Sequence, residues 1–337
     1  MNRNLIHIVH GNMMAGAQTY ALDICRHYKE KGWNVIALTC GAYAVDSRFA
    51  EYGIKVTHAP LRGFLDFSSI LMVAKLIHSL PKGETIIHAH RYRDAYTAMM
   101  ARRLAKRRDV KIVATRHAVR KGRDSGIFRH LYSNIDAHIF VSHLAFERFC
   151  RSWEGRNLPL SDNKIYVLHN SLYIDSPLTP LPEPEKGPVT AIYHGPIAEG
   201  KGLETLIDAL MAMREVKMRL LIAGKGNPDF LDRLRKRAMI REVMATIDWN
   251  TGSDNVTDLI ERAHFGVVPS VESEAFGLGN LRYMALGRPQ ICTRNGAPSE
   301  YLTDGESAFL VPPADSATLA ETMTRLCKDP QLRRRMG

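Results

Sequence analysis

Short, wholly apolar runs alternate with amphipathic segments through almost the whole of this 337-residue chain. LIHIV, TIIHAH and KIVATRH are such runs in the first half, and VTAIYHG, MRLLIAG and FGVVPS are such runs in the second. Apolar runs that are bounded by turn residues and separated by helical patterns are typical of parallel β-strands joined by crossover helices. The alternation therefore predicts an α/β protein in which helices cover both faces of parallel sheets.

A proline-rich segment interrupts this alternation. Residues 176–188, with the sequence SPLTPLPEPEKGP, contain five prolines and no hydrophobic periodicity, as is typical of an extended linker. We therefore predict a Rossmann-like domain over residues 1–175, a linker over 176–188 and a second Rossmann-like domain over 189–337. Such sheets bind ligands beyond the carboxyl ends of their strands, so we expect the two domains to face each other across a cleft that holds the active site.

Composition narrows the class of protein. Apolar residues make up 45% and charged residues 24% of the chain, which is the balance of a globular protein with an ample core. No stretch approaches 18 uninterrupted apolar residues, and the opening MNRNLIHIVHG does not resemble a signal peptide. The five cysteines are scattered and form no CxxC pair, so we expect reduced thiols and a cytoplasmic location.

Positive charge is concentrated in residues 102–123, which contain ten lysines and arginines and one acid, Asp109. A solvated helix face is the first interpretation of this run. A surface that meets an anionic membrane or an anionic acceptor is the second. Nucleic acid is the third, and we do not expect it as a partner because the usual aromatic or recognition-helix context is absent.

Glycine-rich turns follow two apolar runs of the second half. AIYHGPIAEGKGLETL has the pattern of a strand, a glycine turn, a lysine and a helix, with Gly195, Lys201 and Gly202 in the turn. Helix N-terminal amides and a nearby ammonium group both favour anions, so this segment predicts a diphosphate site. A plain strand-to-helix turn with a surface lysine is the alternative. Gly224 in LLIAGKG repeats the arrangement as a weaker signal.

Residues 267–315 carry the densest set of motifs in the chain. In order, these are PS, EAFG, GRP, PSE, DG and VPPAD. The succession resembles the donor-binding signature of the retaining glycosyltransferases of family 4, which have the GT-B fold. HGNMMAGAQTY, HAHRYRD, ATRHAV and YVLHNSL in the first half are similar to segments of the same family. The resemblance implies a UDP- or GDP-linked sugar as donor substrate, bound by the second domain, and an acceptor bound by the first.

The resemblance also implies roles for individual residues. Lys201 would neutralise the leaving diphosphate, Glu274 would orient the sugar, and His117 would bind sugar hydroxyls. The predicted donor-binding residues are Gly16, Gly195, Gly202, Gly224, Phe276, Gly277, Leu278 and Arg282. The residues predicted on the acceptor side, or with a role left open, are His90, Arg91 and Asn170.

This sequence departs from the family pattern at two positions of the donor site. The family has a second glutamate, eight positions after the first, which accepts hydrogen bonds from the ribose, and here that position is Arg282. Pro196 stands where the family usually has an arginine that grips the diphosphate. Because arginine accepts no hydrogen bonds, Arg282 indicates a rearranged donor site, an anionic sugar or a decayed site. The closing DPQLRRRMG resembles the start of the family's penultimate helix, so we expect either that the sequence is a fragment or that the final crossover helix is missing.

We expect neither a metal nor a cofactor. His88 and His90 share one face of a strand, but two histidines without a third ligand rarely bind zinc, and no DxD motif is present. The resemblance implies a retaining hexosyltransferase, and the sequence predicts no metal site in it. Its acceptor would be a glycan or lipid-linked molecule of polysaccharide or lipopolysaccharide synthesis, at the inner face of the plasma membrane. A catalytically decayed GT-B protein that acts as a binding module is the alternative.

Overall fold

The chain forms two compact units, Met1–Tyr173 and Ile174–Gly337, and each is described by itself. The linker predicted over 176–188 lies largely outside the described residues, so its extended structure stays a prediction. The computed structural model describes residues 2–174, 180–181, 187–251 and 256–337.

The first unit is built on a parallel sheet of seven strands. Its strands are β1 (Asn2–Val9), β2 (Asn34–Thr39), β3 (Lys55–His58), β4 (Gly83–Ala89), β5 (Val110–Arg116), β6 (Ala137–Phe140) and β7 (Ile165–Val167). Its helices are α1 (Gly16–Glu30), α2 (Tyr43–Glu51), α3 (Phe67–Ser79), α4 (Tyr92–Leu104), α5 (Gly126–Ser133) and α6 (His143–Cys150). The strand order is β3-β2-β1-β4-β5-β6-β7, and adjacent strands pair in parallel.

The central strands of this sheet are buried on both faces, which explains their continuous apolar sequences. Successive side chains of a strand point to opposite faces. Ile6 and Ile8 of β1 therefore pack in a cluster with residues of α3 and α4. Leu5 and Val9 pack on the other face with residues of α1 and α2.

The second unit repeats this plan with six strands. Its strands are β8 (Val189–His194), β9 (Met218–Ala223), β10 (Ile247–Asn250), β11 (Phe265–Val268), β12 (Gln290–Thr293) and β13 (Phe309–Val311). Its helices are α7 (Leu203–Ala212), α8 (Pro228–Ile240), α9 (Val256–Glu261), α10 (Leu278–Ala285), α11 (Ser316–Lys328) and α12 (Pro330–Met336). The order is β10-β9-β8-β11-β12-β13, again with parallel neighbours.

Strand order reverses beside the first strand of each unit. β1 lies between β2 and β4, and β8 lies between β9 and β11. At such a switch point the connections leave towards opposite faces of the sheet, and a crevice opens at the carboxyl ends of the strands. The predicted α/β architecture with parallel sheets is confirmed, and each unit has a defined place for a site. Among the described helices, none has both the length and the apolarity needed to cross a membrane.

Candidate active site

Lys201 and Glu274 meet at the switch point of the second sheet. Lys201 lies in the loop after β8 and Glu274 in the loop after β11, and these two strands are neighbours. The Lys201 Nζ lies 2.6 Å from the Glu274 Oε1, and both side chains are partly exposed. The Ser270 hydroxyl donates to the same carboxylate oxygen at 2.7 Å. The structure thus brings together two residues that are 73 positions apart and that we predicted to be catalytic.

Gly202 allows these two loops to come into contact. Its φ of 72° is in the left-handed region, and a Cβ at this position would lie 1.8 Å from the carbonyl oxygen of Pro269. The amides of Val271 and Glu272 donate to the Gly200 carbonyl at 2.8 and 3.0 Å, so the two loops are bonded along their backbones. Any side chain at 202 would push the start of α7 away from the loop that carries Glu274.

Gly277 also has a left-handed backbone conformation, at the start of α10. Its φ is 89°, and Leu278 is the first residue of the helix. α7 likewise begins directly after Gly202. The first amides of a helix have no intrahelical partners and attract anions, so two helix N-termini are available at this edge of the sheet. Gly195 and Gly224 follow the neighbouring strands β8 and β9 at the same edge.

Phe276 supports the loop with its ring. The ring is buried and stacks on Tyr301 with a centroid separation of 4.7 Å. The Tyr301 hydroxyl donates to the Phe276 carbonyl at 2.6 Å, and the Ala297 amide donates to the Glu274 carbonyl at 3.0 Å. The predicted contact between Phe276 and a donor stays a prediction, and it would have to be made by the backbone because the ring is packed on Tyr301.

Arg282 is close to the end of β8, beside a histidine to which we assigned no role. The Arg282 Nη1 lies 3.0 Å from the Nε2 of His194, the last residue of β8. Burial, and then the charge of Arg282, lower the pKa of His194 to about 3, so this imidazole is neutral and accepts the bond. The Tyr283 hydroxyl accepts from the His194 amide at 3.0 Å and fixes that strand end.

Histidines occupy the switch point of the first sheet. The Nδ1 of His7, on β1, lies 3.0 Å from the Nε2 of His90, which follows β4. The Nδ1 of His90 lies 3.1 Å from the Nε2 of His117, which follows β5. Burial lowers the pKa of His7 to about 3 and that of His117 to about 4, and it lowers the pKa of His90 strongly. The three imidazoles are therefore neutral at pH 7.

His88 adds a fourth imidazole to this group. Its Nε2 lies 2.6 Å from the Thr115 hydroxyl, and its ring stacks on that of His90. Ligand atoms of His7, His88 and His90 lie within 4.8 Å of one another, so these residues could hold a metal ion. Our interpretation that His88 and His90 lack a third imidazole is thus wrong. His7 escaped notice because it lies in a separate apolar run, 81 positions before His88.

A cavity of about 30 Å³, the volume of a single water molecule, lies beside these histidines. The Gln18 Nε2 donates to the His10 carbonyl at 2.6 Å, and the His10 Nε2 accepts from Arg93 at 2.7 Å. Burial raises the pKa of Asp94 to about 6, and one oxygen of this carboxylate has no partner among the described residues. The cavity is lined by Val9, His10, Ala17, Gln18, His90, Arg91 and Asp94.

The remaining predicted residues also lie in the first unit. Gly16 is the first residue of α1 and is exposed. Arg91 is exposed and directly precedes α4. Asn170 follows β7 and is buried, and its Oδ1 has no partner among the described residues. The structure thus joins His90 to His117 by a hydrogen bond and places Arg91 at the adjacent cavity, while nothing tests the roles of these residues.

Two family models match this chain. The model of Glycosyltransferase Family 4 matches residues 14–176, and the model of Glycosyl transferases group 1 matches residues 188–329. The second match takes in the second switch point, and the first match takes in β4, β5 and the loops that follow them. The chain belongs to glycosyltransferase family 4. The prediction from the sequence motifs is confirmed at the level of the family.

Curated relatives resemble the glycosyltransferase over much of its length. The phosphatidyl-myo-inositol mannosyltransferase of Mycobacterium leprae (strain TN) is 26% identical over 340 residues, which cover 95% of this chain and 86% of the relative. The glycogen synthase of Mycobacterium tuberculosis (strain ATCC 25618 / H37Rv) is 28% identical over 261 residues. This second match covers 73% of the chain and 60% of the synthase.

Solved structures resemble the glycosyltransferase more completely. The crystal structure of Anabaena HepE in complex with UDP and glucose matches with a TM-score of 0.82 at 16% identity, covering 98% of this chain and 92% of that chain. The glycosyltransferase from Rickettsia africae ESF-5 matches with a TM-score of 0.81 at 18% identity, covering 99% and 91%. At these identities the likeness is one of fold, and it confirms the predicted GT-B fold.

Proposed function

We propose that this glycosyltransferase moves a sugar, with retention of its anomeric configuration, from a nucleotide-diphosphate donor to a glycan or lipid-linked acceptor. The observation that carries the proposal is the Lys201–Glu274 pair at the switch point of the second sheet, next to the N-termini of α7 and α10. The complex of HepE with UDP and glucose supports a UDP-sugar as the first donor to test. No cofactor is part of the proposal.

Lys201 would act on the leaving group. An ammonium group has three N–H donors, and the bond to Glu274 uses one of them, so two remain for phosphate oxygens. As the glycosidic bond breaks, negative charge develops on the diphosphate, and Lys201 and the helix amides would stabilise it. Glu274 accepts bonds from Lys201 and Ser270 on a single oxygen, Oε1, so Oε2 would remain to receive a sugar hydroxyl.

Nucleotide release in the presence of each common donor tests the proposal. Lys201→Ala should lower kcat/KM at least about a hundredfold, because it removes a charge that acts mainly on the transition state. Lys217→Ala is the matched control, since this exposed lysine precedes β9 at the opposite, amino edge of the same sheet. Equal rates in both variants would contradict the proposed role of Lys201.

The anomeric outcome needs a separate measurement. In the absence of acceptor, the enzyme should slowly hydrolyse an α-linked donor, and proton NMR of the first product should show the α-anomer. An initial β-anomer would refute retention while leaving transfer itself intact. If wild-type protein binds nucleotide in calorimetry yet transfers and hydrolyses none of the donors, the decayed binding module is the better description.

We further propose that the acceptor is met at an anionic membrane. An exposed apolar surface, here called the α3–α5 face, lies near α3 and α5 in the first unit. The Phe64 and Phe128 rings join its two parts at 5.4 Å, and the Arg123 guanidinium lies 5.2 Å from the Phe128 ring. Apolar side chains rimmed by cations suit a bilayer with anionic headgroups. The exposed members of the face are Leu65, Phe67, Leu71, Arg123 and Ile127.

Vesicle sedimentation tests this second proposal. The wild-type protein should bind vesicles that contain phosphatidylglycerol at low salt, and binding should weaken as salt screens the charges. The double variant Phe67→Ser/Ile127→Ser should lose most of this binding. Ile240→Ser is the control, because Ile240 is 79% exposed on α8 of the second unit. Equal binding to neutral and anionic vesicles would show that the electrostatic part of the proposal is wrong.

A further inference from the structure

The three histidines at the first switch point form a hydrogen-bonded chain with a direction. A neutral imidazole has one N–H and one lone pair, so each member of the chain can donate at one ring nitrogen and accept at the other. His7 bonds to His90 at 3.0 Å, and His90 bonds to His117 at 3.1 Å. Once it is known which nitrogen of one ring carries the proton, the hydrogen bonds determine which nitrogen carries it in the other two rings.

The buried end of the chain decides this direction. The Nε2 of His7 is buried and has no hydrogen-bond partner among the described residues. Buried N–H groups without a partner are rarer than buried acceptors without one. The Nε2 of His7 is therefore the lone pair, and its Nδ1–H donates to His90. The Nδ1–H of His90 in turn donates to the Nε2 of His117.

We propose that His7 and His90 are positioning residues that fix the tautomer of His117, with the proton on its Nδ1. His117 is the half-buried end of the chain, and its Nδ1 bonds to no residue that the structure describes. That nitrogen is then a hydrogen-bond donor for an oxygen of the bound sugar. The identity of this partner rests on the proposed function, whereas the tautomer is a property of the free protein.

A metal ion bound by His7, His88 and His90 is the competing use of these residues. A cation between His7 and His90 would need lone pairs on both facing nitrogens, so the hydrogen bond between them would be lost. Zinc-bound nitrogens lie about 2.0–2.1 Å from the ion, and tetrahedral ligands are then more than 3 Å apart. The observed 3.0 Å separation is that of a hydrogen bond, so the geometry favours the chain.

Long-range ¹H–¹⁵N spectra of ¹⁵N-histidine-labelled protein at pH 7.5 test the tautomer without any variant or substrate. His117, assigned from His117→Gln, should show its proton on Nδ1, and so should His7 and His90. A proton on Nε2 of His117 would overturn the proposal. Stoichiometric zinc retained through purification, with shifts of the His7, His88 and His90 resonances on chelation, would overturn it in favour of a metal site.

Two variants of His7 that have the same shape as each other, His7→Asn and His7→Asp, test whether His7 sets the direction of the hydrogen bonds in the chain. The amide of His7→Asn can still donate to His90, so His117 should keep its proton on Nδ1. The carboxylate of His7→Asp can only accept, so both downstream imidazoles should change tautomer and His117 should carry its proton on Nε2. The same tautomer of His117 in both variants would overturn the role of His7.

Kinetics provide a second readout that a merely structural role would not give. If donor turnover is detected, the kcat of His7→Asp should be at least about tenfold below that of His7→Asn, with donor KM within about twofold. A KM effect with unchanged kcat would overturn the link to the sugar. Absence of turnover in wild-type protein would count against the proposed function and would leave the tautomer measurement valid.

Discussion

Acidification from pH 7 to pH 5 should unfold the first unit before the second. Burial is the largest cause of a lowered pKa in six histidines of the first unit. Five of them are the most deeply buried, His7, His88, His90, His117 and His138, and the sixth, His10, is more exposed. The unfolded chain takes up protons near pH 6.5, but the folded unit cannot. Stability is therefore fully present above pH 6.5 and is lost as the pH falls towards the folded pKa values, which are about 3 for His7 and about 4 for His117.

The magnitude follows from proton linkage. Each histidine that stays neutral in the folded state loses about 2 kcal/mol of stability between pH 7 and pH 5, so five lose about 10 kcal/mol. Domains have a total stability of about 5–15 kcal/mol, so we expect a midpoint near pH 5 for the first unit. In the described part of the second unit, His194 is also held neutral by burial and contributes a loss of about 2 kcal/mol over the same pH range.

Tryptophan fluorescence can follow each unit separately. Trp33 and Trp153 lie in the first unit and Trp249 in the second. Trp249→Phe leaves reporters for the first unit, and Trp33→Phe/Trp153→Phe leaves one for the second. Both proteins are titrated from pH 8 to pH 4, with far-ultraviolet circular dichroism as a check on unfolding.

Single histidine variants sharpen the test. The variants are made in the Trp249→Phe protein, whose fluorescence follows the first unit. His138→Gln removes the stability loss of one buried histidine and should therefore lower the midpoint pH, while its amide can still donate to the Tyr132 carbonyl. His78→Gln, at the exposed end of α3, keeps all five buried histidines and should leave the midpoint unchanged. A first unit that stays folded below pH 4, or two units that unfold at one pH, would refute the reasoning.

Three further predictions concern single residues. Asp94→Asn should stabilise the first unit by about 1 kcal/mol more at pH 8 than at pH 5.5 in urea titrations, because a carboxyl whose folded pKa is raised to about 6 destabilises the fold as the pH rises; an equal gain at both values would contradict this. Gly202→Ala should destabilise the second unit by at least about 1 kcal/mol more than Gly305→Ala, since both glycines have positive φ but only Gly202 has a neighbouring oxygen in the way; equal urea midpoints would be the contrary result. Arg282→Ala should weaken nucleotide-sugar binding about tenfold to a hundredfold in calorimetry, and unchanged affinity would show that its guanidinium does not reach the donor.

The fold could be predicted from the sequence because the central strands are buried on both faces and therefore form continuous apolar runs. The loop residues Lys201 and Glu274 could be predicted because their motifs are local. Their contact could not, since it depends on the pairing of β8 with β11. His7 was not recognised as a neighbour of His88 for the same reason. The parallel register that places His7 beside His88 joins strands that are separated in the chain by three helices, two strands and their loops.

The basic segment 102–123 shows a second limit of the sequence. We interpreted it as a surface segment, but three of its arginines make contacts that stabilise the fold. Arg102 pairs with Asp136 at 2.7 Å, and Arg107 pairs with Asp109 at 2.8 Å while donating to two backbone carbonyls. Arg116 lies 5.1 Å from the Phe149 ring centroid. Charge counts cannot distinguish such residues from free cations, because most of their partners lie on other elements.

The charges at the second switch point argue for a donor site that still binds anions. The sequence shows a cation lost at 196 and another gained at 282, but it cannot show what the new one contacts. In the structure, Arg282 bonds to the imidazole of His194, which is neutral. Lys201 and Glu274 form an ion pair at the same edge of the sheet, beside two helix N-termini. Cations and helix N-termini are the groups that stabilise the negative charge of a diphosphate leaving group, so we expect this edge of the sheet to bind one.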